Sequence, residues 1–211
     1  MKEKISLIYK MIIVLVSGYA LYLNFKLLTF RQGILYFTNI SNLMCFIYFF
    51  ALVIIMIMGK EKKDEKHCII KGMVTMAITL TFFMYNFYLR GDSSTSVFVG
   101  HDLETNLVHV VVPLLVMFDY AIFSEKGHLK KYYPLVWSSI LIAYQSFVAI
   151  YIGCGGKFSN GLTYPYPYMD LEKYGVAGVT RNLIVIFILY IGYGTIIQML
   201  DSKWGEKRKI K

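Results

Sequence analysis

Acidic residues, prolines and cysteines are all scarce in this chain. Of 211 residues, 13 are Asp or Glu, 4 are Pro and 3 are Cys. The cysteines (Cys45, Cys68 and Cys154) are odd in number and lack metal-ligand spacing. Two of them fall within or at the end of apolar runs, so a disulfide framework is not expected. No glycine-rich dinucleotide fingerprint, internal repeat or low-complexity tract occurs, and no cofactor is implied. Charged residues make up 17% of the chain, against about 25% in an ordinary soluble domain. No polar stretch is long enough for a soluble domain of any size.

What fills the chain is apolar. Hydrophobic residues account for 57% and aromatics for 17%, with a mean hydropathy of +0.54. A bilayer core about 30 Å thick requires roughly 20 mostly apolar residues per crossing helix. Six such runs are present, at about 5–28, 34–58, 69–89, 103–123, 135–153 and 176–200. The expected fold is all-α, a single polytopic domain over residues 1–211 built as a bundle of six transmembrane helices. The first run is longer than a signal peptide and has no small-residue cleavage site, so it reads as a span.

The net charge of +9 follows the loops. Fourteen Lys and Arg fall at the N-terminus, in GKEKKDEKH, in SEKGHLKKYYP and in the tail, whereas the alternate loops hold Arg31, Arg90, Lys157 and Lys173. Cytoplasmic loops are enriched in positive residues, so a multi-pass cell-membrane protein with both termini in the cytoplasm is expected. The basic clusters suit contact with anionic membrane lipids and imply no nucleic-acid partner. The outer loops, RGDSSTSVFVGHDLETN and GCGGKFSNGLTYPYPYMDLEKYG, are rich in small polar residues. In the second, Pro165 and Pro167 favour extended backbone, and Tyr164, Tyr166 and Tyr168 suit a lipid–water interface. The segment from Tyr164 to Asp170 is expected to fold over the mouth of a pocket, with Asp170 approaching His109.

Polar groups inside a span are costly, and their placement is informative. Thr38, Ser41, Asn42 and Cys45 recur at i, i+3, i+4 and i+7 and share one helix face. Lys71, Thr75, Thr79 and Asn86 keep to one face of the third run, and Asn106, His109 and Pro113 to one face of the fourth. Such faces look into the bundle. Ser41 and Thr75 are expected to bind helices together, and Asp119 to pair with Lys71. His101 and His109 lack a third ligand, so no metal site is expected. Counted from the outer ends of their runs at 1.5 Å per residue, Thr38 lies roughly 6 Å deep and His109 roughly 9 Å deep. That matched depth suits a lipid ester whose tails point inward.

Three signatures carry a resemblance: YFTNISNL opening the second run, NLVHVVVPLLVMFDY in the fourth and TYPYPYMD before the sixth. In their order and spacing the chain resembles the androgen-induced and androgen-dependent TFPI-regulating membrane proteins, in their shorter prokaryotic branch. The animal members are intramembrane threonine hydrolases that cleave fatty acid esters of hydroxy fatty acids. The resemblance implies a nucleophile at Thr38, an essential histidine at His109 and a fatty-acyl or other lipid ester as substrate. Around Thr38 this chain is Asn-rich where the animal members are more apolar, and its interval from His109 to Pro113 is shorter. In that reading the imidazole, with an ordinary pKa of ~6.5, deprotonates the threonine hydroxyl. The side-chain amides of Asn39 or Asn42 are expected to face the developing oxyanion, and Asn106 to orient the histidine ring. Two alternatives share these residues: a non-enzymatic lipid-binding or small-molecule transport protein, and an acyltransferase with the same acyl-enzyme.

Overall fold

The computed structural model describes residues 1–60, 64–90 and 103–209. Most of the RGD-containing loop, with His101, lies outside the described residues. Six helices are long and apolar enough to cross a membrane: α1 (Lys2–Leu27), α2 (Phe37–Ile57), α3 (Glu65–Leu89), α4 (Leu103–Phe123), α5 (Tyr133–Gly153) and α6 (Leu171–Lys209). Among the described residues there is no strand. The protein is all-α and of membrane type.

Local chemistry fixes the helix ends. Asp64 caps α3 by accepting a hydrogen bond from the His67 amide at 2.9 Å, filling one of the four orphan donors of a helix start. Asp170 does the same for α6, accepting from Glu172 N at 2.9 Å and Lys173 N at 3.1 Å. Gly175 interrupts the first turns of α6 at φ 62°, a conformation open to glycine without a Cβ clash.

The packing is uneven. α1 lies against α2 and α4, and α3 closes the group against the same two helices. Their shared core is mainly aliphatic, with Ile13, Val74, Ile78, Val108 and Val112 around Phe49. α5 and α6 attach to the outside of α3 through an aromatic core that includes Tyr85, Tyr133, Trp137, Tyr144, Tyr166 and Tyr190. α6 rests mainly on the Tyr133–Trp137 start of α5 and contacts its Ser139–Gly153 part little. The two helices therefore diverge away from that end. Outward faces carry exposed Leu15, Ile47, Phe118, Ile150, Ile188 and Leu189, the surface that a hydrocarbon solvent accepts.

Two polar clusters fix the end of the bundle that holds the termini. Gly127 N and Leu129 N donate to Asp201 Oδ2 at 2.9 and 3.0 Å, and Lys130 and Tyr132 both reach Glu65. Deeper, the fully buried Asp119 lies 2.7 Å from Lys10 Nζ and 2.8 Å from Lys71 Nζ. Asp119 thus has the expected partner in Lys71 and a second one in Lys10. Ser41 and Thr81 join α2 to α3 through their hydroxyls at 2.8 Å.

Candidate active site

The site lies at the far end of the bundle, away from the termini. The chain turns into α2 at Tyr36, whose carbonyl accepts from Asn39 N and Ile40 N, both at 3.1 Å. Thr38, the second residue of the helix, has no carbonyl four residues back within the helix. Its amide instead donates to the Tyr166 hydroxyl at 3.2 Å. The Thr38 side chain meets α4, with Oγ1 3.3 Å from His109 Nε2. Thr38 and His109 are both buried, at 4% and 1% exposure.

His109 sits in a widened π-helical turn, Leu107–Val111. The cause is four residues downstream, where Pro113 has no N–H and its ring crowds the preceding turn. Such turns recur at functional sites. Opposite lies a second π-turn, Tyr85–Leu89, and Tyr85 stacks on the imidazole with ring centroids 4.1 Å apart and planes 20° apart. The other ring nitrogen, Nδ1, is 2.9 Å from the Thr105 carbonyl. A carbonyl oxygen can only accept, so Nδ1 carries the proton of the neutral ring. Nε2 then offers its lone pair to the Thr38 hydroxyl.

The asparagines serve the backbone. In the π-turn the Val112 amide bonds to Leu107 O, and the next such donor for the Val108 carbonyl would be Pro113, which has none. Asn42 Nδ2 supplies the missing donor at 3.0 Å and also reaches Thr38 O at 2.8 Å. Asn39 Nδ2 donates to Gly33 O at 3.0 Å, holding the turn that precedes α2. These amides are committed to buried carbonyls, which costs less than leaving the carbonyls unpaired. Asn42 Nδ2, expected with Asn39 to face an oxyanion, thus has both of its hydrogens on carbonyls, and Asn39 Nδ2 has one on Gly33 O. Asn106 is half-buried one turn before His109, but the group fastened to Nδ1 is the Thr105 backbone carbonyl. Thr105 was invisible to side-chain reasoning because it acts through its main chain.

The loop before α6 packs on this end. Ser159 N donates to Tyr36 Oη at 3.1 Å, and Asn182 Nδ2 to Tyr168 O at 3.0 Å. Tyr166 is buried against Thr38, and its ring stacks on Tyr168 at 5.5 Å and 7°. Tyr164 is half-buried. The Asp170 carboxylate, expected near His109, is engaged as the cap of α6. Burial pushes the Tyr166 phenol up to about 12, which keeps it a neutral hydroxyl at physiological pH.

A cavity of about 340 Å³ begins at Thr38 and runs between α3, α5 and α6. Its walls are mostly apolar, including Phe37, Leu80, Met84, Leu141, Leu183 and Phe187. It occupies the wedge where α5 and α6 diverge. A hydroxyl with a base beside it thus borders a space suited to an aliphatic chain. Comparison with protein-family models, with curated proteins and with solved structures finds no match to this chain. The functional reading accordingly rests on this geometry and on the three sequence signatures.

Proposed function

We propose that the protein is an intramembrane threonine hydrolase of lipid esters, related to the androgen-induced and androgen-dependent TFPI-regulating family. One observation carries the reading: Thr38 Oγ1 lies 3.3 Å from a histidine nitrogen whose lone pair is directed by the Nδ1–Thr105 bond. That is the arrangement of an activated hydroxyl, with nucleophile, base and orienting group in series. The distance is slightly long for proton transfer, as is common before substrate compresses the pair.

In the first half-reaction Thr38 Oγ attacks the ester carbonyl carbon while its proton passes to His109 Nε2. Collapse of the tetrahedral adduct breaks the bond to the alcohol, which takes the proton from the imidazolium. Water then attacks the acyl-threonine with the same base, releasing the carboxylic acid and restoring Thr38. The apolar cavity beside Thr38 supports an acyl chain as the bound group, and the divergence of α5 and α6 supports access from the bilayer. The distribution of lysines supports cytoplasmic termini and a site in the outer leaflet. Reporter fusions after Lys131 and Lys203 should both read as cytoplasmic.

The test uses the purified full chain in lipid nanodiscs with the para-nitrophenyl ester of octanoic acid and an activity-based fluorophosphonate. Thr38→Ala and His109→Ala should each abolish hydrolysis and labelling, with losses of several orders of magnitude that do not add in the double variant. Thr38→Ser should keep part of both. Undiminished hydrolysis by Thr38→Ala would refute the threonine hydrolase, and no hydrolysis or labelling by the wild type would leave the lipid-binding protein. Product analysis with added alcohols distinguishes the acyltransferase, which shares the acyl-enzyme.

A further inference from the structure

The tetrahedral adduct on Thr38 places a full negative charge on what was the carbonyl oxygen. In a buried, mostly apolar site that charge needs donors already in place. The Asn42 amide makes both its hydrogen bonds to carbonyls, and the Asn39 amide is held on Gly33 O. Two other groups are better placed. The amide of the nucleophilic residue itself, Thr38 N–H, has no acceptor in its own helix, and 3.2 Å from it sits the Tyr166 hydroxyl.

We propose that Tyr166 Oη–H and the Thr38 amide form the oxyanion pocket of the reaction, which makes Tyr166 a catalytic residue; this rests on the hydrolase reading above. The oxygen of an adduct bonded through Thr38 Oγ1 lies close to the amide of the same residue, as it does for nucleophiles at helix starts. A donor 3.2 Å from that amide flanks the same point from the other side. In the structure the Tyr166 hydroxyl accepts from Thr38 N–H. In the adduct the oxyanion takes that acceptor position and accepts from both, so the hydroxyl shifts aside and exchanges an accepting role for a donating one.

The hydroxyl is held ready. Its ring is buried and stacked on Tyr168, between Pro165 and Pro167, which limit the backbone. Tyr144 lines the same cavity and is itself tied to Leu35 O at 3.1 Å. Electrons and protons balance without a further reactant. The carbonyl π pair moves onto oxygen as the bond to Thr38 Oγ forms, and Tyr166 keeps its proton throughout, donating a hydrogen bond only.

Tyr166→Phe tests this, because it keeps the ring and removes the donor. With the para-nitrophenyl octanoate assay in nanodiscs, kcat should fall roughly 100- to 1000-fold, the usual loss for one oxyanion donor, while KM stays within about threefold. A trifluoromethyl ketone bearing an octyl chain, which forms the tetrahedral adduct, should lose affinity in parallel with kcat. Retention of kcat within about threefold in Tyr166→Phe, with Thr38→Ala inactive, overturns the proposal and leaves the hydrolase intact. So does a raised KM with a lowered unfolding midpoint and unchanged kcat, the signature of a tyrosine that only packs the loop. Hydrolysis surviving in Thr38→Ala would instead remove the hydrolase reading, and this one with it.

Discussion

Replacing Asp119 with asparagine removes the single carboxylate that two buried lysines share. Lys10 Nζ and Lys71 Nζ stand 2.7 and 2.8 Å from its oxygens, and all three side chains are at most 7% exposed. At these distances each pair attracts by about 6 kcal/mol with an effective dielectric near 20. Desolvation of the three groups offsets most of that. The neutral amide cancels the attraction and leaves both ammonium groups desolvated and facing each other. Breaking a buried ion pair in this way costs about 3–5 kcal/mol, an unfolding-midpoint drop of the order of 10 °C for a chain of this size. The readout is a maleimide dye that fluoresces on reaction with a thiol. In a Cys68→Ser/Cys154→Ser background the remaining thiol is Cys45, which is fully buried and reacts only on unfolding. Replacing all three charged residues together (Lys10→Met, Lys71→Met, Asp119→Leu) should restore the midpoint, because an apolar trio in place of a buried ionic one is often neutral or stabilising. Equal midpoints for Asp119→Asn and the wild type would refute the reasoning, and so would a triple variant as unstable as the single one.

The same dye assay reads two packing predictions. Gly72→Ala should cost about 1–3 kcal/mol, because a Cβ there would overlap the buried Trp137 indole, whose Nε1 donates to Ile69 O at 3.1 Å and so cannot retreat freely. Asn42→Ala should cost a similar amount by orphaning the Val108 carbonyl, and should slow fluorophosphonate labelling of Thr38 by loosening α2 from α4. A pH prediction follows from Tyr166, whose buried phenol titrates at about 12 instead of 10.0. A raised folded-state value means that the native preference for the neutral form is intact below pH 10 and is lost as pH rises through about 12. The wild-type midpoint should fall over that window, and Tyr166→Phe should flatten the fall.

The spans were legible because each is a continuous apolar run of sufficient length, a signal that tertiary structure does not rearrange. Their edges were less so. The second apolar run spans about 34–58, whereas α2 covers Phe37–Ile57, because Leu35 and Tyr36 are apolar yet belong to the turn before the helix. The continuous part of α6 begins after the non-helical Gly175, at the expected 176, and the short turn before it, from Leu171, is added by the Asp170 cap and not by hydropathy. At the site, Thr38 and His109 were found through matched depth, shared polar faces and resemblance. The links through Thr105 O, Asn42 and Tyr166 were missed for one reason. Each depends on a main-chain group left over at a helix start or π-turn, and one-dimensional periodicity carries no record of which carbonyl or amide lacks a partner. Pro113 alone hinted at it.

The widened turn at Leu107–Val111 also separates the two polar duties of α4. A turn holding one surplus residue sets back everything after it by about 100° relative to an unbroken helix. His109 on one side of that offset addresses α2 and Tyr85, while Asp119 on the other addresses Lys10 and Lys71. The half that carries His109 and the half that carries Asp119 therefore obey different phases of one helix. Deleting a single residue within the turn would bring them back into one phase. Either the imidazole would then swing away from Thr38 or the carboxylate from its lysines, and no rigid rotation of α4 would keep both.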